Sequence, residues 1–168
     1  MQLWQSEIIH LSASLIIFWV IARRTSVNYI WPLIGALLGG FLIDVDHVFD
    51  QLIVFGFNLD PDKLLSGGSF VYSDKAYILF HGWEFVILLL IIYFYLNKIK
   101  KLIKFKTLLL ALTISMFAHL IIDSNTNHMS YNAYSLIYRI GHKFDLQQLI
   151  TPDHWLEHLE DKQLLGLT

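Results

Sequence analysis

The sequence predicts an all-α fold, a polytopic membrane bundle of about four transmembrane helices with a short amphipathic C-terminal tail. Three observations predict it. Of 168 residues, 55% are hydrophobic and only 15% charged, against about a quarter charged in a soluble domain, and the mean hydropathy is +0.53. The apolar residues gather in four blocks near the length of about 20 residues that crosses a bilayer. The basic residues concentrate in two short connections between those blocks.

The first block covers residues 3–22. It has no Lys or Arg up to Leu11 and is followed by Arg23 and Arg24 rather than a small-residue cleavage site, so it reads as a retained helix rather than a signal peptide. The second covers 29–43 and continues as a partly exposed helix through 48–57. Its Gly35, Gly39 and Gly40 lie at near-helical spacing and allow a neighbouring helix to approach closely. Residues 58–74 hold Asp60-Pro61-Asp62 and Gly67-Gly68, which read as a loop. The third block covers 76–96 and the fourth 108–122. In the tail, Thr151 reads as N-cap and Pro152 as the first position of an amphipathic helix over 154–165. The chain therefore divides into a membrane domain, 1–127, and an extramembrane tail, 128–168. Trp4, Trp19, Trp31 and Trp83 read as interface anchors.

Orientation follows from charge. Arg23 and Arg24 join the first two spans, and Lys98, Lys100, Lys101, Lys104 and Lys106 join the last two. Both connections then face the cytoplasm of a bacterial-type inner membrane. The formal net charge of -2 leaves no basic surface for nucleic acid. With no cysteine in the chain, a metal site must draw on His, Asp and Glu.

Those residues fall at one level. His10, Asp44, Asp46, His47, His81, Glu84, His119 and Asp123 all lie in the non-cytoplasmic ends of the spans, roughly 20–25 Å from the basic connections at the helical rise. His81 with Glu84 (i, i+3) and His119 with Asp123 (i, i+4) each share a helix face, a spacing used by metal-binding bundles. Asp46 is open to three roles: binding metal, capping the helix, or holding a ligating histidine. Ionisable groups in apolar spans are costly and face the bundle interior. Packed together without a cation, carboxylates repel one another. His10, Asp44, His47, His81, His119 and Asp123 are accordingly candidate metal ligands, with Asp46 or Glu84 as candidate general base. His128 is near enough in sequence to join them. His154 and His158 read as a solvated helix face, and Arg139 as a candidate contact for an anionic group.

The order His10, then Gly39-Gly-Phe-Leu-Ile-Asp44-Val-Asp46-His47, then Phe80-His81-Gly-Trp-Glu84, then His119-x-x-x-Asp123 resembles the membrane-bound, metal-dependent hydrolase family, which is distantly similar to zinc-dependent phospholipase C and P1 nuclease. The resemblance covers roughly residues 8–127. Many members carry His-Arg-Gly-x-Thr-His at the third span, where this chain has Glu84 in place of the second histidine. The resemblance implies one to three divalent ions, zinc foremost, and hydrolysis of a phosphoester. The membrane setting adds the expectation of a lipid or lipid-linked substrate. The alternatives from the residues themselves are a non-catalytic metal-binding membrane protein and a proton-linked pH sensor.

Overall fold

The computed structural model describes residues 3–58, 60, 61, 63, 68–127 and 129–167 and, of residues 3, 4 and 100, the backbone alone. The expectations placed on Asp62, Gly67, His128 and the Trp4 side chain lie outside the described residues. Among those described, the protein is all-helical. Eight α-helices and several 3-10 turns are joined by irregular segments, with isolated bridges but no strand. The helices are α1 (Leu3–Arg24), α2 (Ile30–Gly40), α3 (Asp46–Phe55), α4 (Gly68–Ser73), α5 (Trp83–Asn97), α6 (Ile103–Thr126), α7 (Leu136–Gly141) and α8 (Pro152–Leu164).

Two helices, α1 and α6, are long and apolar enough to cross a membrane. The bent pair formed by α2 and residues 42–55, with a 51° break, makes a third span if it is counted as one. The 15 residues of α5 are apolar but reach only about 22 Å. At the centre, α6 packs against α1, α2 and α5. Its contact with α2 depends on glycine. A Cβ at Gly35 would collide with the Leu108 carbonyl, one at Gly39 with the Leu112 carbonyl, and one at Gly40 with the Ser14 hydroxyl. Small residues bring the helix backbones together here, as their spacing predicts.

The second block is not one continuous helix. It stops at Gly40, passes through a 3-10 turn at Leu42–Val45 and restarts as α3. The end of a helix leaves carbonyls without partners, and the Gly40 carbonyl accepts a bond from Nδ1 of His119 (3.1 Å). The third block also differs from expectation, because its helix begins only at Trp83. The preceding segment is held away from helix by bonds to other elements. Ala76 N donates to Phe144 O (3.0 Å), Tyr77 N to Asp50 Oδ1 (2.9 Å) and Phe80 N to Asp46 Oδ2 (2.8 Å). The expected loop 58–74 ends in a helix, α4, whose Ser69 hydroxyl donates to Asp50 (3.2 Å). The fourth block extends at both ends, so that Lys104, Lys106 and Asp123 all belong to α6.

The tail does not hang free. Ala133, Leu146 and Leu149 share a buried core with Ala76, and Phe70 and Trp155 pack against it. Pro152 starts α8 as predicted, although the Thr151 hydroxyl meets His154 Nδ1 (2.7 Å) rather than a backbone amide. His158 is buried, contrary to the solvated face expected for it, and lies 2.7 Å from Asp74.

Candidate metal centre

Three buried side chains and one at the edge converge where α1, α2, α6 and the segment before α5 meet. Asp44 comes from the 3-10 turn, His81 from the segment just before α5, and His119 and Asp123 from successive turns of α6. Their ligand atoms lie within 4.8 Å of one another. Nε2 of His81 is 3.0 Å from Nε2 of His119, 3.1 Å from Asp44 Oδ1 and 3.4 Å from Asp123 Oδ2. Nε2 of His119 is 3.4 Å from Asp44 Oδ1 and 3.1 Å from Asp123 Oδ2. Bonds of 2.0–2.1 Å to a tetrahedral zinc ion separate its ligand atoms by roughly 3.3–3.4 Å. The observed edges are close to that figure.

The surrounding bonds decide which atoms face inward. A backbone carbonyl can only accept, so the His119 proton sits on Nδ1, toward Gly40. Asp46 Oδ2 accepts from Phe80 N and lies 3.0 Å from His81 Nδ1, which puts the His81 proton on Nδ1 as well. When neutral, each imidazole therefore turns an Nε2 lone pair to the centre, alongside two carboxylate oxygens. Two protonated Nε2 atoms cannot meet head-on at 3.0 Å, so at most one proton lies between these rings. A divalent ion balances two carboxylates and two neutral imidazoles in charge. The buried Asp/His cluster is thus able to hold a metal ion.

No family model, curated protein or solved structure matches this chain. The centre is therefore read from its own geometry. Of the six residues expected as ligands, Asp44, His81, His119 and Asp123 form the four-membered group. His47 forms a second grouping with Asp46 and His81, and its side chain is 25% exposed at the rim against 15% for Asp44. His10 lies behind the centre. Its Nε2 is 3.0 Å from Asp123 Oδ1, away from the inward Oδ2, and its ring stacks on His119 at 3.9 Å. It falls outside the four-membered group and is placed to orient Asp123.

Of the two expected bases, Asp46 is partly committed, with Oδ1 left without a partner among the described residues, and Glu84 is committed elsewhere. Asp46 is buried and spends Oδ2 on His81 and Phe80, which is the histidine-holding role left open by its spacing. Glu84 does not enter the centre. His81 precedes the helix, so the i, i+3 face that would pair them does not exist. Glu84 instead accepts from Ser135 Oγ, Leu136 N and Ile137 N at the start of α7.

Arg139 is buried too and does not line the open cleft described next. Its Nη1 donates to Ala133 O (3.2 Å). Burial pulls its pKa below the ordinary value, against the opposing pull of Asp46 and Glu84.

Glu7 was missed in the sequence. It is half-buried on α1, with Asp44 among the charged groups that act on it. The signal was available, because Glu7 and His10 stand i, i+3 on one helix face. A cleft of about 320 Å³ opens from the centre toward the tail, with His47, His81 and Asp123 on one side and His154, Glu157, His158 and Asp161 of α8 on the other.

Proposed function

We propose that the protein is a membrane-embedded, metal-dependent hydrolase that cleaves a phosphoester of a lipid or lipid-linked substrate. The observation that carries this reading is the convergence of two histidine nitrogens and two carboxylate oxygens within 4.8 Å of one another, open to a cleft large enough for a polar head. The span count of about four, with α5 as the short span, and the placement of the centre at the non-cytoplasmic face belong to the same proposal. The family resemblance of the motifs supports it.

Asp44, His81, His119 and Asp123 would hold the ion, zinc being the best match to their nitrogen and oxygen donors. A bound divalent ion lowers the pKa of water and neutralises charge on phosphoryl oxygens. Asp46 and the Gly40 carbonyl keep the two imidazoles aimed, and His10 does the same for Asp123. Asp46, whose Oδ1 has no partner among the described residues, would take the proton of the attacking water. Water oxygen bonds to phosphorus, the phosphorus–oxygen bond to the alcohol breaks, and a proton returns to the departing alkoxide.

The test is metal analysis of the purified protein, with phosphodiester and phospholipid assays before and after chelation. We expect about one to three equivalents of metal, hydrolysis abolished by chelator, and its restoration by zinc. A His119→Ala, Asp123→Ala double variant should lose both metal and activity, and full activity in that variant would end the proposal. Metal bound without hydrolysis of any phosphoester would leave a non-catalytic centre instead.

A further inference from the structure

We propose that the apolar groove between α2, α5 and α6 seats one acyl chain of a phospholipid, which reaches the centre sideways from the bilayer. The groove holds about 260 Å³ and is lined by apolar residues, among them Leu38, Leu42, Phe80, Phe85, Leu88 and Met116. No side chain there offers a hydrogen bond, so a sugar, a nucleotide or ordered water finds no partner in it. Leu38, Leu42, Phe80 and Leu88 keep 42%, 44%, 45% and 51% of their surface exposed. They sit on elements whose outer faces meet lipid, where chains are the solvent.

Its position sets it apart from an ordinary lipid-facing crease. Leu42 and Ile43 directly precede Asp44, Phe80 directly precedes His81, and Met116 lies one turn before His119. The groove is therefore walled by the chain neighbours of three of the four candidate ligands, although none of the four lines it. The cleft, whose lining mixes ionisable side chains with apolar ones such as Phe70, Ile78 and Met129, meets the same centre from the tail side, through His81 and Asp123. A molecule spanning both has its chain in the groove, its head in the cleft and its ester linkage at the metal ligands. That is the build of a phospholipid. Naming it as substrate rests on the hydrolase reading; the seat itself does not.

Two measurements separate these claims. The protein is reconstituted in phosphatidylethanolamine–phosphatidylglycerol vesicles doped with a phospholipid carrying a diazirine midway along one acyl chain. After photolysis, adducts are mapped by peptide mass spectrometry. We expect them to concentrate on residues 38–43, 80–89 and 112–116. They should fall about fivefold in a Leu38→Trp, Leu88→Trp variant, which fills the groove, and stay unchanged in Ile91→Trp, a lipid-facing control on α5. Adducts spread evenly along α5 and indifferent to filling would overturn the seat, as would protein–protein crosslinks through the groove, which would mean a second copy occupies it.

In the activity arm, kcat/KM for the long-chain lipid should drop about tenfold in the filled variant. A water-soluble short-chain analogue should change less than twofold. Equal losses on both substrates would overturn the proposal. If the native protein hydrolyses neither, the hydrolase reading fails while the adduct map still decides the seat.

Discussion

Asp46 and Glu84 look alike in the sequence, each an acid near a histidine, yet they do different work. Asp46 holds the Nδ1 proton of His81 and a backbone amide. An Asn there keeps the shape and loses the charge that fixes the ring. Asp46→Asn should weaken metal affinity by about 10–100-fold, read by competition with a chromophoric chelator. Glu84→Gln should leave that affinity alone. Its carboxylate secures the start of α7, so the expected loss is about 1–2 kcal/mol of stability, read as a lowered thermal midpoint in detergent. Equal loss of metal in both variants would reverse these assignments. At this scale the sequence was legible where the helix is regular. His119 and Asp123 share a face because α6 runs unbroken through both. The His81–Glu84 pairing failed because long-range bonds from Asp46 and Asp50, invisible in local spacing, keep the chain before Trp83 out of the helix.

The same cause explains which elements could be read. α1, α6 and α8 follow from apolar length and from the proline at the start of α8, all local signals. The break after Gly40 and the segment before α5 depend on partners dozens of residues away, and so does the docking of α8. Its latch is Asp74, which meets His158 Nε2 at 2.7 Å and also accepts from Lys162. Partial burial acts to raise the Asp74 pKa, but the hydrogen bonds from His158 and Lys162 prevail and hold it below the ordinary carboxylate value. A depressed acid contributes stability above its unfolded pKa and loses it as pH falls through the folded one. The latch should therefore hold at neutral pH and loosen only below about pH 4. A spin label on a Gln163→Cys variant should gain mobility in that acid window. At pH 8, Asp74→Asn should release Lys162 and speed tryptic cleavage after it several-fold. Cleavage at the native rate would mean that the tail core of Leu146, Leu149 and Trp155 alone holds α8 in place.

Across the whole molecule, charge and chemistry occupy opposite ends. Arg23 and Arg24 end α1, while Lys98, Lys101, Lys104 and Lys106 surround the turn from α5 to α6. The candidate metal ligands, the cleft and the tail lie at the other end of these helices. Short connections rich in Lys and Arg remain cytoplasmic because moving them across the membrane is opposed. On the orientation proposed above, the cleft, with α8 at its edge, would face away from the cytoplasm. The absence of cysteine makes this directly measurable. Ser26, in the connection after α1, and Gln147, in the tail, are both exposed and distant from the centre. In intact cells an impermeant maleimide should label Gln147→Cys and spare Ser26→Cys until the membrane is opened. The reverse pattern would put the centre on the cytoplasmic side, where a lipid substrate must come from the inner leaflet. Labelling of both in intact cells would mean that α1 does not separate the two ends, and the bundle would then lie on the bilayer rather than across it.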